Sequence, residues 1–158
     1  MITLTRNQVR RLRAVFRRST LGISHRGTIP PLVLVGEGGQ LRAQHRYGDL
    51  AVEYAEPRTD RTAATLAIRL DALADFEGAA DTPVTVEAAA PDRTVVRWDD
   101  RGIPQRREYD LVTPVDRLAG MPAMPASWAS APRELLAALA EATETGTDDS
   151  ARYSLNCV

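Results

Sequence analysis

Arg6, Arg10, Arg13 and Arg17 follow one another at intervals of four, three and four residues near the start of the chain. At about 100° per residue, this spacing draws four guanidinium groups into one stripe if the segment is helical. Arginine offers a permanently charged, planar fork of donors that suits phosphate oxygens. No acid is interleaved among the four, so the stripe has the chemistry of a surface for polyanions. A solvated helical face written in arginine is the plainer alternative. Arg11 and Arg18 fall off the stripe and read as surface or packing residues.

The other groups that could do chemistry do not assemble into a catalytic pattern. Gly36-Glu37-Gly38-Gly39 lacks the Lys-Ser/Thr of a phosphate loop and lies between two apolar runs, as a hairpin turn does. Asp99-Asp100 leads into Gly102, where Asp is favoured for backbone reasons, and Asp148-Asp149 is likewise a loop pair. His25 and His45 have no Ser or Cys in a nucleophile setting. Cys157 is the single cysteine, so no internal disulfide and no metal-ligand set follows from it. The expectation is a protein that is not an enzyme and needs no cofactor and no metal.

The elements that must position the arginines are legible from pattern. Ile2 to Leu4 reads as a short strand, and Thr5 with Gln8 forms a capping box that opens a helix. Val9, Leu12 and Phe16 give that helix its apolar face, and Gly22 is a plausible stop. Gly22 to Pro31 is loop. Leu32 to Val35, Leu41 to Tyr47 and Leu50 to Ala55 then read as three strands. Thr65 to Ile68 is strand-like, and Asp71 to Phe76 makes a short helix. Three further strands are expected at Val84 to Ala88, Thr94 to Trp98 and Arg106 to Leu111. The order strand, helix, three strands therefore occurs twice, which predicts a duplicated half-unit in an α+β domain.

Pro114 to Pro125 looks like a connector between domains. Beyond it, Pro132 opens a helix with Leu135, Leu136 and Leu139 on its apolar face, and Tyr153 to Val158 begins another strand. The expected domains are residues 1–118, a linker at 119–126, and the opening of a second domain at 127–158. Ending inside an apolar strand suggests a truncated protein.

At 158 residues, 44% hydrophobic and 26% charged, the chain is globular and long enough to bury a core. The formal net charge of -1 gives no global attraction to phosphate. Arginine nonetheless outnumbers acid as far as about Arg61, and the remainder leans acidic. All basic residues are Arg, for which coding bias is the bland explanation. With no signal-peptide pattern and no apolar run near a membrane span, a soluble, cytoplasmic protein is expected.

Several segments, in order, resemble the bacterial DNA sliding clamp family, the beta subunit of DNA polymerase III. The end of the chain, Ala151-Arg152-Tyr153-Ser154-Leu155-Asn156-Cys157-Val158, is similar to the family's Arg-Tyr-aromatic-Leu-Asn-Gly signature, with Ser154 in place of an aromatic and Cys157 in place of Gly. Arg26-Gly27-Thr28-Ile29-Pro30-Pro31-Leu32 resembles its Arg-x-Thr-Leu-Pro-Ile-Leu stretch. Thr65 to Gly78 and the strands from Val84 to Val112 are similar to later parts of its first domain.

This resemblance implies the DNA clamp fold, with helices on one face of antiparallel sheets. It implies a processivity factor that encircles duplex DNA without reading sequence. Replicative DNA polymerase and clamp loader would be partners, and the intact form a homodimeric ring with no membrane association. Arg26 would touch DNA beside the Arg6, Arg10, Arg13 and Arg17 stripe, a loop arginine without a role being the alternative. Arg152 and Leu155 would belong to a partial groove for partner peptides, although Leu155 alone reads as a strand core residue. Acidic residues cut the other way: Asp71, Asp75 and Glu77 in the short helix, and Glu134, Glu141 and Glu144 in the later one. Like-charged helices repel phosphate within about 8 to 10 Å at ordinary salt. A divergent clamp-fold module that binds proteins and no longer holds DNA is the second expectation.

Overall fold

A computed structural model describes residues 1–19, 29–58, 61–123, 125–127, 130 and 132–145. By its internal contacts the chain divides into Met1–Pro122 and Ala123–Val158. Predictions falling on Arg26, His25, Cys157, Arg152, Leu155, the Asp148-Asp149 pair and the strand at Tyr153 to Val158 lie outside the described residues.

In the first unit β1 (Ile2–Thr5) leads into α1 (Arg6–Ser19), then β2 (Leu32–Glu37), β3 (Gln40–Tyr47) and β4 (Leu50–Pro57). The second half repeats the order with β5 (Ala64–Ile68), α2 (Leu73–Phe76), β6 (Pro83–Ala90), β7 (Arg93–Asp100) and β8 (Ile103–Asp110). The result is a mixed α+β unit with two four-stranded antiparallel sheets.

The sheets do not follow the two halves. Their strand orders are β1-β6-β7-β8 and β4-β3-β2-β5, so each half lends its first strand to the other half's sheet. Exchanging β1 with β5, β2 with β6, β3 with β7 and β4 with β8 turns one order into the other. Ile2 pairs with Val86 on one side, and Leu34 pairs with Leu66 on the other. Thr94 stitches the sheets together, its hydroxyl donating to the Ala67 carbonyl at 2.6 Å.

Local chemistry explains most boundaries. Thr5 N–H donates to Gln8 Oε1 at 2.7 Å and Gln8 N–H donates to Thr5 Oγ1 at 3.1 Å, the reciprocal bonds of a capping box. Gly38 and Gly39 both have positive φ, 59° and 81°, which joins β2 to β3 through a two-residue turn matched to strand twist. The β7–β8 turn uses Arg101 and Gly102 in the same sense, with the Gly102 N–H donating to Asp99 Oδ1 at 2.6 Å. β8 begins three residues earlier than the expected Arg106. Pro104 argues against a strand by pattern, but β8 is an edge strand, where a missing N–H costs no ladder bond.

One core serves both sheets and both helices. Val9, Leu12 and Phe16 of α1 meet Leu73 and Phe76 of α2, Ile2 and Leu4 of β1, and the inward residues of β2, β3, β6 and β7. Alternation along β2 and β3 puts Leu32, Leu34, Leu41, Ala43 and His45 inward.

The stretch marked as a connector by composition is held to this unit as far as Gly120. A 3₁₀ turn at Val115–Arg117 follows β8, the Val115 N–H donates to Pro91 O at 3.3 Å, and Arg46 Nη1 donates to Gly120 O at 2.9 Å. In the second unit α3 spans Arg133–Thr145, with Leu135, Leu136 and Leu139 exposed. Among the described residues no helix is long and apolar enough to cross a membrane.

Candidate nucleic-acid interface

The arginine stripe of α1 divides in two. Arg6 and Arg13 sit on the flank nearer the buried Val9–Leu12–Phe16 face and are partly covered, whereas Arg10 and Arg17 lie farther round and are exposed. Arg6 ties three segments together. Its Nη1 donates to Asp100 Oδ1 at 2.8 Å and to Asp99 O at 3.2 Å, and its Nη2 donates to Glu77 O at 3.0 Å. Arg13 donates to Glu77 Oε1 at 2.5 Å.

The absence of interleaved acid in the sequence therefore misled for these two. Their acids arrive from the residue that follows α2 and from the end of β7, 64 and 94 residues away. Arg6 is a structural tie, and Arg13 is shared between an ion pair and solvent. Arg11, off the stripe, pairs with Glu56 at 3.1 Å. Arg10 and Arg18 are exposed and make no hydrogen bond or ion pair among the described residues. Arg17 is exposed beside Arg10.

The acids of the short helix region are matched in turn. Asp71 is bound by Arg69, whose hydrogen bond and charge hold the carboxyl below its ordinary range. Asp75 accepts from Arg107 at 2.8 Å and from the Tyr109 hydroxyl at 3.0 Å. Burial, reinforced by Asp75, keeps that hydroxyl protonated well above the usual tyrosine range. Glu77 faces Arg13. The expected repulsion of phosphate by these carboxylates is thus offset pair by pair, and Arg10 and Arg18 of α1 make no ion pair among the described residues. Asp99 and Asp100, the adjacent pair in the sequence, are occupied by the turn amide and by Arg6.

α1 packs against His45 of β3. Its imidazole is 2% exposed, sits edge-on to Phe16 at 6.2 Å between ring centroids, and has Nε2 3.2 Å from Pro30 O. A carbonyl only accepts, so Nε2 carries the proton and donates. Burial lowers the His45 pKa from its ordinary 6.5, despite the opposing hydrogen bond to Pro30. The unfolded chain therefore binds a proton on His45 before the folded chain does. The contribution of neutral, buried His45 to stability is fully present above pH 6.5 and is lost as pH drops from there through the folded-state value. Denaturant titrations across that interval should show the loss in the unaltered chain. The slope should shrink in His45→Leu, and an identical slope in both would assign the effect elsewhere.

Sequence reasoning missed a cavity of about 650 Å³ on the other face of β2 and β3. Its lining comes from several separate stretches of chain, so no local motif could mark it. Comparison with models of known protein families, with curated proteins and with solved structures finds no match for this chain.

Proposed function

We propose that the Met1–Pro122 unit is a clamp-type domain that holds duplex DNA without reading its sequence, α1 meeting phosphates through Arg10 and Arg17, with Arg13 contributing from the flank. The observation that carries this reading is the placement of cations on α1: Arg10 and Arg17 are exposed along one helix face, Arg10 makes no hydrogen bond or ion pair among the described residues, and Asp71, Asp75 and Glu77 are each paired. Two features support the clamp part. The strand–helix–three-strand order occurs twice with exchanged first strands, and the quoted segments resemble the sliding clamp family in order. In this reading the intact protein forms a ring that tethers the replicative polymerase, and its contacts stay weak and mobile so that it can slide.

Sequence-independent phosphate contact has a measurable signature. Binding of unrelated duplexes, followed by fluorescence anisotropy over a salt series, should give one common affinity. The slope of log affinity against log salt should flatten by about 0.9 for each contact removed in Arg10→Ala with Arg17→Ala. A slope untouched by the double substitution, or affinities that vary strongly with base sequence, would sink the proposal. Retention on circular DNA with release on linearisation separates a ring from simple surface binding.

A protein-interaction module is the second reading. It is favoured by α3, where Leu135, Leu136 and Leu139 are 44%, 67% and 48% exposed. Absence of salt-dependent DNA binding in the same series would move it ahead.

A further inference from the structure

Strands alternate their side chains between faces, so while His45 points into the core, Gln44 and Arg46 point the other way, together with Val33. There they line the cavity of about 650 Å³, a volume within the range of roughly 300 to 1,000 Å³ usual for small-molecule sites. Val33, Leu70, Leu111, Leu118 and Met121 make its apolar wall. Val112, also in the lining, is 77% exposed, and Ile29 is 41% exposed. Large apolar side chains gathered in water around a concave wall leave area that a ligand can cover.

The polar groups of the lining give that ligand a sign. Asp71 is bound by Arg69, and Asp110 by Arg93 Nε at 2.9 Å, so neither acid is free to hold a cation. Arg117 is exposed and has no side-chain hydrogen bond or ion pair among the described residues. Arg46 spends one hydrogen bond on the Gly120 carbonyl and makes no ion pair among the described residues. The uncompensated charge is positive.

We propose that this cavity is a binding site for a small amphipathic carboxylic acid, its apolar chain against Val33, Leu111 and Leu118 and its carboxylate between Arg46 and Arg117. A peptide strand is a poorer fit. β2 and β3 are interior strands of the sheet β4-β3-β2-β5, so the floor offers no unpaired backbone for an added strand.

The probes are octanoate and octanol, titrated into the isotope-labelled full chain and followed by amide chemical shifts. Octanoate should saturably shift Val33, Gln44, Leu111 and Leu118, and octanol should bind about tenfold more weakly for want of charge-assisted hydrogen bonds. Arg46→Ala with Arg117→Ala, both at exposed positions, should bring octanoate down to the affinity of octanol while leaving octanol unchanged. Four results overturn the site: no saturation, equal affinity for acid and alcohol, octanoate affinity unaltered in the double variant, or shifts confined to Leu135, Leu136 and Leu139. Saturation by a short acidic, apolar peptide where octanoate fails would replace the small acid with a peptide partner.

Discussion

Phe16→Ala should lower the unfolding free energy by about 3 to 5 kcal/mol, the range for deleting a fully buried aromatic ring. Phe16 is wholly buried between α1 and the inward face of β3. Its loss removes apolar area from the core and leaves a space beside His45 that backbone relaxation fills only in part. The second consequence is electrostatic. The His45 pKa is lowered mainly because burial disfavours the imidazolium, so admitting water where the ring stood should return it toward 6.5. Denaturant unfolding gives the first quantity, and the imidazole resonances against pH give the second. A loss below about 1 kcal/mol would mean that α1 is not seated on β3 as described. Because α1 carries Arg10 and Arg17, the same variant should also weaken DNA association under the clamp reading, although neither arginine is altered.

Phe76→Ala should cost a similar amount, about 3 to 5 kcal/mol, from the other half of the unit. Phe76 is fully buried on α2 and packs on Trp98 at 5.8 Å and on Tyr109 at 6.3 Å between centroids. Tilted aromatic contacts of this kind add to simple burial. Tyr109→Phe is the control that keeps the ring and deletes only the hydroxyl bond to Asp75. It should cost about 1 kcal/mol, since Asp75 retains Arg107. Both alanine variants should lose the two sheets in one transition whichever half was altered. Separate transitions for amide resonances of the β1-β6-β7-β8 sheet and of the β4-β3-β2-β5 sheet, followed residue by residue, would contradict the shared core.

The sequence was most informative where structure is decided by neighbours in the chain. The Thr5–Gln8 box, the Val9–Leu12–Phe16 face, the glycine turn between β2 and β3, and the twice-repeated order of elements are all local patterns. Strand partnership is not local. Nothing near Ile2 announces Val86, and nothing near Arg13 announces Glu77, so the exchange of first strands and the pairing of the arginine stripe stayed hidden. The alternation of β3 was legible, yet its outward members acquire a role only when Leu111 to Met121 folds over them. Pro104 concealed the start of β8 because pattern alone does not say which strand will be at an edge.

The exchange of first strands makes the unit a clasp. Because β1 is gripped by β6 and β5 by β2, neither half can peel away without tearing a strand out of the other's sheet. Tension applied at the N-terminus first meets a ladder whose partner lies about eighty residues along the chain. Under the clamp reading, in which α1 holds arginines against DNA, such a build lets a pull on that helix be shared by both sheets, since its apolar face packs in their common core.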